Sequence, residues 1–184
     1  MLMAATSVWT LADFDRLPDD GNTYELIDGE LFVTPAPSPA HEVLVANLIE
    51  LVAPFVWTHE LGGVFTPKSV VRTESSQVEP DLSVRRPTLP LPEKWLEMPT
   101  PLLVVEVLSR TTRRRDHEQK REFYLSIGVP EYWIVDRWSR TIRVIRRDAE
   151  DVVADSMLEW HPAGASSALR IGVAEYFDNA LGKK

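Results

Sequence analysis

Cysteine is absent from this 184-residue sequence. Its absence excludes disulfide bonds, zinc sites built on thiolates and catalysis by a cysteine nucleophile. A chain without cysteine also fits a reducing compartment, and we expect the protein in the cytoplasm.

Long apolar runs are lacking as well. No apolar stretch approaches the roughly 20 residues of a membrane-spanning helix. The first ten residues have neither the basic start nor the sustained apolar core of a signal peptide. The sequence therefore predicts no association with a membrane.

Positive charge is scarce, because 20 lysine and arginine residues stand against 28 aspartate and glutamate residues, a formal net charge of −8. A nonspecific coat on nucleic acid depends on many lysine and arginine contacts to phosphate, so this balance argues against such a coat. Two local clusters exist: Arg110, Arg113, Arg114, Arg115, Lys120 and Arg121, then Arg137, Arg140, Arg143, Arg146 and Arg147. Each fits a solvated surface as well as a phosphate-facing patch.

The length of the chain suits one compact domain with a sizeable core. We expect a single domain over residues 1–184, with an N-terminal arm at 1–20 and a C-terminal extension at 149–184. The sequence contains no internal repeat and no low-complexity tract.

Turn and cap signals organise the N-terminal part. Thr10 and Asp13 predict a short capped helix in the arm. Segments 24–27 and 30–34 alternate in polarity around Asp28-Gly29, a dipeptide that accepts positive φ, and so predict a β-hairpin.

A longer helix should follow the hairpin. Ser38 and Pro39 are a typical cap and first residue for a helix running to about Trp57, and Pro54 is expected to kink or end it. Helical spacing predicts a core face made of Val43, Leu44, Leu48, Leu51, Val52 and Phe55.

Residues 78–136 form the centre of the predicted fold, with the order strand, proline-rich connection, strand, helix, strand. Residues 102–108 are short and almost wholly apolar, which is typical of a central strand buried on both faces. One helix should run from about residue 112 to 127. Strands at 131–136 and 141–147 should pair, further strands near 152, 156–160 and 168–171 should extend the sheet or form its edge, and a helix at 173–179 should close the chain.

Two acidic residues interrupt this apolar centre. Asp81 follows Pro80, and Glu106 lies inside the central strand. Carboxylates are rarely buried unless they are paired or bound to a metal. An ion pair with an arginine is the simple alternative for Glu106, but Asp81 on the preceding strand favours a metal site.

The helix that follows adds a lysine. Asp116 and Lys120 are four residues apart and could form an exposed ion pair. However, the apolar residues Phe123, Tyr124 and Ile127 turn this helix face inward, so we expect Lys120 to point toward Glu106.

Two carboxylates and a lysine suit the cleavage of a phosphodiester. A cation such as Mg²⁺ or Mn²⁺, held by Asp81 and Glu106, would activate water and offset the charge that develops on phosphorus. Lys120 would orient that water, deprotonate it if its pKa is lowered, or neutralise charge in the transition state. Ser109 and Tyr124 are candidates for binding phosphate or ordering water.

The motifs that carry this chemistry are Pro80-Asp81, Val105-Glu106-Val107-Leu108-Ser109, then Asp116, Lys120 and Tyr124, then Gly128-Val129-Pro130-Glu131-Tyr132-Trp133-Ile134-Val135-Asp136, with Tyr24-Glu25-Leu26-Ile27-Asp28-Gly29-Glu30 and Ser38-Pro39-Ala40-His41 upstream. Over roughly residues 20–148 they resemble the Uma-type restriction endonuclease family of the PD-(D/E)XK nuclease superfamily. The resemblance implies an α/β (α+β) fold, a restriction-endonuclease-like mixed sheet flanked by helices.

The same resemblance implies that Asp81 and Glu106 are metal ligands, that DNA is the substrate, and that Glu25 and His41 lie at the site. Leu108 departs from the superfamily pattern, because it occupies the position of the expected lysine. Families of this type can supply the lysine from the next helix, which makes Lys120 the natural substitute.

Three functions remain open from sequence alone. The first is a Mg²⁺-dependent DNA endonuclease, expected as a homodimer because a chain with one site usually needs two copies to cut both strands. The second is a catalytically weak or inactive nuclease fold that binds DNA or protein. The third is a metal-dependent hydrolase of another phosphate ester.

Overall fold

The computed structural model describes residues 8–183. The first seven residues of the predicted N-terminal arm lie outside the described residues. The strands are β1 (Thr23–Ile27), β2 (Glu30–Thr34), β3 (Gly63–Phe65), β4 (Val71–Arg72), β5 (Gln77–Val78), β6 (Leu82–Arg85), β7 (Leu103–Val107), β8 (Glu131–Asp136), β9 (Thr141–Arg146), β10 (Val152–Ala154), β11 (Met157–Trp160) and β12 (Leu169–Gly172). The α-helices are α1 (Leu11–Phe14), α2 (Pro39–Thr58), α3 (Arg113–His117), α4 (Gln119–Ser126) and α5 (Val173–Leu181).

A six-stranded mixed sheet with the order β10-β9-β8-β7-β6-β3 forms the centre of the fold. Its pairs are antiparallel except β7 and β8, which are parallel and are joined by α3 and α4. In the β6–β7 pair Leu82 lies opposite Val105. Continued by one residue, this register brings Asp81 opposite Glu106, the two acids singled out in the sequence.

The predicted hairpin is confirmed and belongs to a second sheet, with the order β2-β1-β5-β4. Asp28 and Gly29 both have positive φ, 47° and 86°, as a two-residue turn of this kind requires. The segment at 64–73 is interrupted near Pro67. Its two halves lie in different sheets, because β3 pairs with β6 and β4 pairs with β5.

Helix α2 begins at the predicted cap, where the Ser38 side chain accepts from the backbone of His41. Pro54 does not end the helix, which continues to Thr58. The ring of Pro54 is exposed, so the missing backbone donor lies on the solvent side.

The core face of α2 was only partly predicted. Val43 and Leu51 are 42% and 38% exposed, whereas the buried residues are Leu44, Val45, Leu48, Val52, Ala53 and Val56. The helix is apolar on most of its surface, so spacing alone leaves the direction of the buried face open. By length and mean hydropathy (1.4) it could cross a membrane. In this fold it packs on α5 and on β3, β6 and β7, as a core helix does.

The prediction of a single helix after β7 is wrong in one respect. The helical segment is divided at Glu118 (φ −110°, ψ −79°) into α3 and α4. The buried Tyr132 hydroxyl donates a 3.0 Å hydrogen bond to the carbonyl of Asp116. In a continuous helix that carbonyl would accept from the amide of Lys120.

The C-terminal part keeps the predicted helix, which is α5. Strand β10 extends the mixed sheet beside β9 as expected. The remaining strands do not extend that sheet, because β11 and β12 pair with each other in a separate two-stranded sheet. Trp133 of β8 and Trp160 of β11 meet edge to face, with ring centroids 6.0 Å apart.

Candidate active site

A cavity of about 510 Å³ opens where β6 begins and β7 ends. Its wall contains residues from both larger sheets, from the start of α2 and from α3 and α4. The sequence-predicted residues in this wall are Glu25, His41, Asp81, Glu106, Ser109, Asp116 and Lys120. Tyr124 lies behind them and reaches Glu106 through its hydroxyl.

Asp81 is held through one carboxylate oxygen. Its Oδ2 accepts from the backbone amide of Val107 at 2.7 Å and lies 3.1 Å from His41 Nε2. Its Oδ1 makes no hydrogen bond with any residue in the described range 8–183 and is not sealed from solvent. The carboxylate is therefore fixed in orientation with one oxygen available to a ligand.

Glu106 shows the same division between its oxygens. Oε1 accepts from Lys120 Nζ at 2.8 Å and from the Tyr124 hydroxyl at 2.7 Å. Oε2 has no hydrogen-bond partner in the described part of the chain and is not sealed from solvent. Burial raises the pKa of Glu106 well above its usual range; Lys120 opposes this shift, whereas the negative charge of Asp81 adds to it.

Lys120 is only 2% exposed and lies among carboxylates. Its Nζ is 2.8 Å from Glu25 Oε1 and from Glu106 Oε1, and 3.9 Å from Asp116 Oδ1. Burial alone would lower the pKa of Lys120, but the three negative charges, led by Glu106, outweigh it and raise the pKa. A lysine with a raised pKa keeps its proton at neutral pH, so it fits the orienting and charge-neutralising roles and not that of a base.

Glu25 reaches this cluster from the hairpin, as the resemblance implied. Its Oε1 also accepts from the backbone amide of Glu79 at 3.0 Å, and its Oε2 lies 3.1 Å from the guanidinium of Arg115. Arg115 donates to Thr34 Oγ1 at 3.0 Å. Glu25 and Arg115 thereby join the four-stranded sheet to α3 and hold Lys120 in place.

Arg115 and Glu79 are site residues that sequence reasoning missed. Arg115 was placed in a basic cluster, and nothing local distinguishes it from Arg113 and Arg114, because its partner Glu25 is remote in the chain. Glu79 carried a usable signal. It stands two residues before Asp81, and alternate residues of an extended segment face the same way.

His41 contacts the site through Asp81. Its side chain is 13% exposed, and its Nδ1 lies 3.5 Å from Glu42 Oε1. Burial would lower the pKa of His41, but the hydrogen bond and charge of Asp81 outweigh burial and raise it. Because an ionised carboxylate only accepts hydrogen bonds, His41 Nε2 would donate to Asp81 and fix the direction of its carboxylate.

Ser109 and Leu108 occupy the positions next to Glu106. The Ser109 hydroxyl is used within its own turn, 3.0 Å from Thr112 Oγ1. Leu108 is 1% exposed and packs with Phe123 and Tyr124 in a core cluster. Residues 106 and 108 face the same side of the chain, and Leu108 also lines the cavity. The position of the lysine that the superfamily pattern expects is therefore an apolar part of the cavity wall.

The arrangement can be tested for its fit to a divalent cation. Across residues 8–183, no group of three or more histidine, aspartate or glutamate side chains is arranged to enclose a metal ion. Asp81 and Glu106 nevertheless each present one free oxygen in the same cavity wall. Mg²⁺ and Mn²⁺ favour oxygen ligands, and Mg²⁺ usually keeps several waters, so two carboxylates are a sufficient protein contribution.

Comparison with known proteins first defines the class, a nuclease fold. A solved structure titled "putative nuclease" from Anabaena variabilis ATCC 29413 matches with a TM-score of 0.81, covering 94% of this chain and 99% of that chain at 22% identity. The sequence model of the Uma2 family, described as "Putative restriction endonuclease", matches residues 11–169. The chain belongs to this family, and the resemblance and fold class inferred from sequence are confirmed. A comparison with curated proteins finds no match.

Proposed function

We propose that this protein is a metal-dependent endonuclease that hydrolyses phosphodiester bonds of DNA. Asp81 and Glu106 would hold Mg²⁺ or Mn²⁺, and Lys120 would stand beside the reacting phosphate. Membership of a restriction endonuclease family and the nuclease fold support the general class. The observation that carries the proposal is that each carboxylate is fixed through one oxygen while the other opens into one cavity.

A bound divalent cation supplies an activated water and a counter-charge for the phosphate. The residues of the chain do the positioning. Tyr124, whose pKa is raised by burial and by Glu106, keeps its proton and donates to Glu106. An ammonium group has three donors, and Lys120 makes two contacts of 2.8 Å. Its third donor would orient water or stabilise charge on a phosphate oxygen.

The proposal is tested by plasmid nicking in the presence of Mg²⁺ or Mn²⁺. Glu106→Gln and Asp81→Asn keep the size of each side chain but remove its charge, so both should abolish nicking. Glu159→Gln, which removes an exposed carboxylate of β11, is the matched control and should cut at the wild-type rate. A cleavage rate unchanged in Glu106→Gln would overturn the assignment, and cleavage of small phosphate esters in place of plasmid would point to the other hydrolase class.

A second candidate is a nuclease fold that binds DNA or protein without turnover. Leu108 favours it, because the strand lacks the usual lysine and Lys120 is already engaged by carboxylates. Titration calorimetry with Mn²⁺ separates the two functions. Binding that disappears in Asp81→Asn supports the endonuclease, whereas a wild type that binds DNA but no metal supports the module.

Cutting both strands with one site per chain favours a homodimer, which we include in the proposal. Analytical ultracentrifugation with and without a DNA duplex tests it. A monomer that nicks one strand only, in both conditions, would exclude the dimer and leave the endonuclease proposal intact.

A further inference from the structure

Two arginines at the mouth of the cavity differ from the others in the described range. Elsewhere in residues 8–183, each arginine is paired with a carboxylate or donates to a backbone carbonyl. Arg110 has no such partner there, and Arg137 makes only a 3.4 Å contact with the Ser38 hydroxyl. Both line the cavity that contains Asp81 and Glu106. Acidic residues outnumber basic ones in this chain, so carboxylate partners are plentiful. Two guanidinium groups that stay unpaired at the same cavity are therefore candidates for binding an anionic ligand.

Arg137 is held in place by an aromatic ring. Its guanidinium carbon lies 4.6 Å from the ring centre of Trp138. Arg113 also packs on Trp138, at 5.6 Å, and is tied to Asp136 by an ion pair. A guanidinium packed on an indole keeps its donor edges free, and less conformational entropy is lost when it binds an anion.

Arg110 extends from a turn that is fixed by side-chain hydrogen bonds. The amide of Ser109 donates to Thr112 Oγ1 at 3.2 Å, and the amide of Thr112 donates to Ser109 Oγ at 3.1 Å. The turn follows β7 directly, so Arg110 lies four residues beyond Glu106. Its backbone position is therefore fixed relative to the carboxylates, while its side chain is exposed.

Charged groups in the cavity wall divide into paired and unpaired ones. The wall holds the acidic residues Glu25, Glu42, Glu79, Asp81, Glu106 and Asp116. The side chains of Lys68, Arg115 and Lys120 are each paired with one of these carboxylates. Among the lysines and arginines of the wall, Arg110 and Arg137 are left without a carboxylate partner in the described range. The buried carboxylates suit a divalent cation, and the two unpaired guanidinium groups suit phosphate groups that flank the one being cut.

We propose that Arg110 and Arg137 bind backbone phosphates of the substrate strand next to the scissile phosphate, and that Trp138 positions Arg137. This assignment rests on the proposed endonuclease function. It makes the two arginines substrate-binding residues that carry no sequence preference, because phosphate contacts fix register and orientation only.

The test is binding of a fluorescein-labelled DNA duplex, measured by anisotropy in EDTA over a range of NaCl concentrations. Arg110→Ala and Arg137→Ala should each weaken binding about tenfold at low salt and reduce the slope of log K against log salt by about one. Arg137→Lys keeps the charge but loses the planar group, so its slope should stay at the wild-type value while its affinity falls. Arg170→Ala, which removes an exposed paired arginine of β12, should change neither quantity.

The outcomes separate this assignment from the function on which it rests. If the wild type binds and nicks DNA but Arg110→Ala and Arg137→Ala keep the wild-type salt slope, the phosphate assignment is overturned and the endonuclease stands. If the wild type neither binds nor nicks DNA, both fail. Circular dichroism checks the fold; because Arg110 is exposed, Arg110→Ala carries the test even if Arg137→Ala unfolds.

Discussion

Lys120 keeps its positive charge although it is buried, and burial alone would favour the neutral amine. Its ammonium group is compensated by Glu25 and Glu106, and each of these carboxylates in turn depends on it. Buried ion pairs of this type contribute little net stability, but the loss of one partner leaves an uncompensated charge in the interior. The cluster is therefore sensitive to single substitutions.

Lys120→Met should lower the free energy of unfolding by about 3–5 kcal/mol, because Glu25 and Glu106 would be left buried without their cation. Urea denaturation at neutral pH measures the change. Lys94→Met, at a lysine in an exposed loop, is the control and should have little effect. A loss below about 1 kcal/mol in Lys120→Met would contradict the compensated cluster.

His41→Ala should weaken the binding of Mn²⁺ roughly 10- to 100-fold, because Asp81 would lose the donor that orients its carboxylate. Titration calorimetry gives the affinity. His41→Gln, which can still donate to Asp81, should recover part of it. If both variants bind Mn²⁺ like the wild type, His41 does not position Asp81.

At the scale of elements, side-chain contacts fix how the helices sit on the sheet. Asp151, in the loop before β10, pairs with Arg121 of α4 at 2.5 Å and with Arg143 of β9 at 3.3 Å. Burial would raise the pKa of Asp151, but these two arginines outweigh it, and the pKa is lowered. The loop thus links α4, which carries Lys120, to the mixed sheet.

The lowered pKa fixes the sign of a pH effect. The stability that Asp151 contributes is present above the unfolded pKa of about 3.9 and is lost as pH falls through the lower folded value. Asp151→Asn should cost about 1 kcal/mol at neutral pH and progressively less as the solution is acidified. Urea denaturation over a pH series checks this. If the stability difference between wild type and Asp151→Asn stays constant as the pH is lowered below the folded pKa, the charge of Asp151 is not the source of the stabilisation.

Local signals predicted the elements that depend on few residues. Asp28-Gly29 predicted the hairpin because a two-residue turn needs positive φ, and Ser38-Pro39 predicted the start of α2. The division between α3 and α4 was not predictable, because the Tyr132 hydroxyl that hydrogen-bonds to the Asp116 carbonyl comes from a strand that follows the helices.

In the candidate site, too, local signals predicted some residues, and contacts between remote segments were missed. Helical spacing placed Lys120 beside Glu106, and an acid inside an apolar strand drew attention to Glu106 itself. Arg115 was missed because its partner Glu25 lies on the hairpin at the other end of the chain. Contacts between remote segments leave no periodic signal in a single sequence.

On the scale of the whole molecule, a ligand that binds the folded site should stabilise the entire fold. Mn²⁺ at 100 times its Kd should add about 2.7 kcal/mol to the free energy of unfolding, since the unfolded chain does not keep Asp81 and Glu106 together. Thermal unfolding with increasing Mn²⁺ measures this shift. Asp81→Asn should abolish it, and a shift of equal size in that variant would indicate that Mn²⁺ binds elsewhere.

The contact between Glu25 and Lys120 has a consequence for the order of folding. Glu25 belongs to the first hairpin, Glu106 to the middle strand of the mixed sheet and Lys120 to α4, so their charges meet only after segments far apart in the chain have docked. Closing such long loops is slow. A growing chain therefore carries no assembled cluster until α4 has been synthesised and the hairpin has docked against it, and a half-made molecule has no complete candidate site.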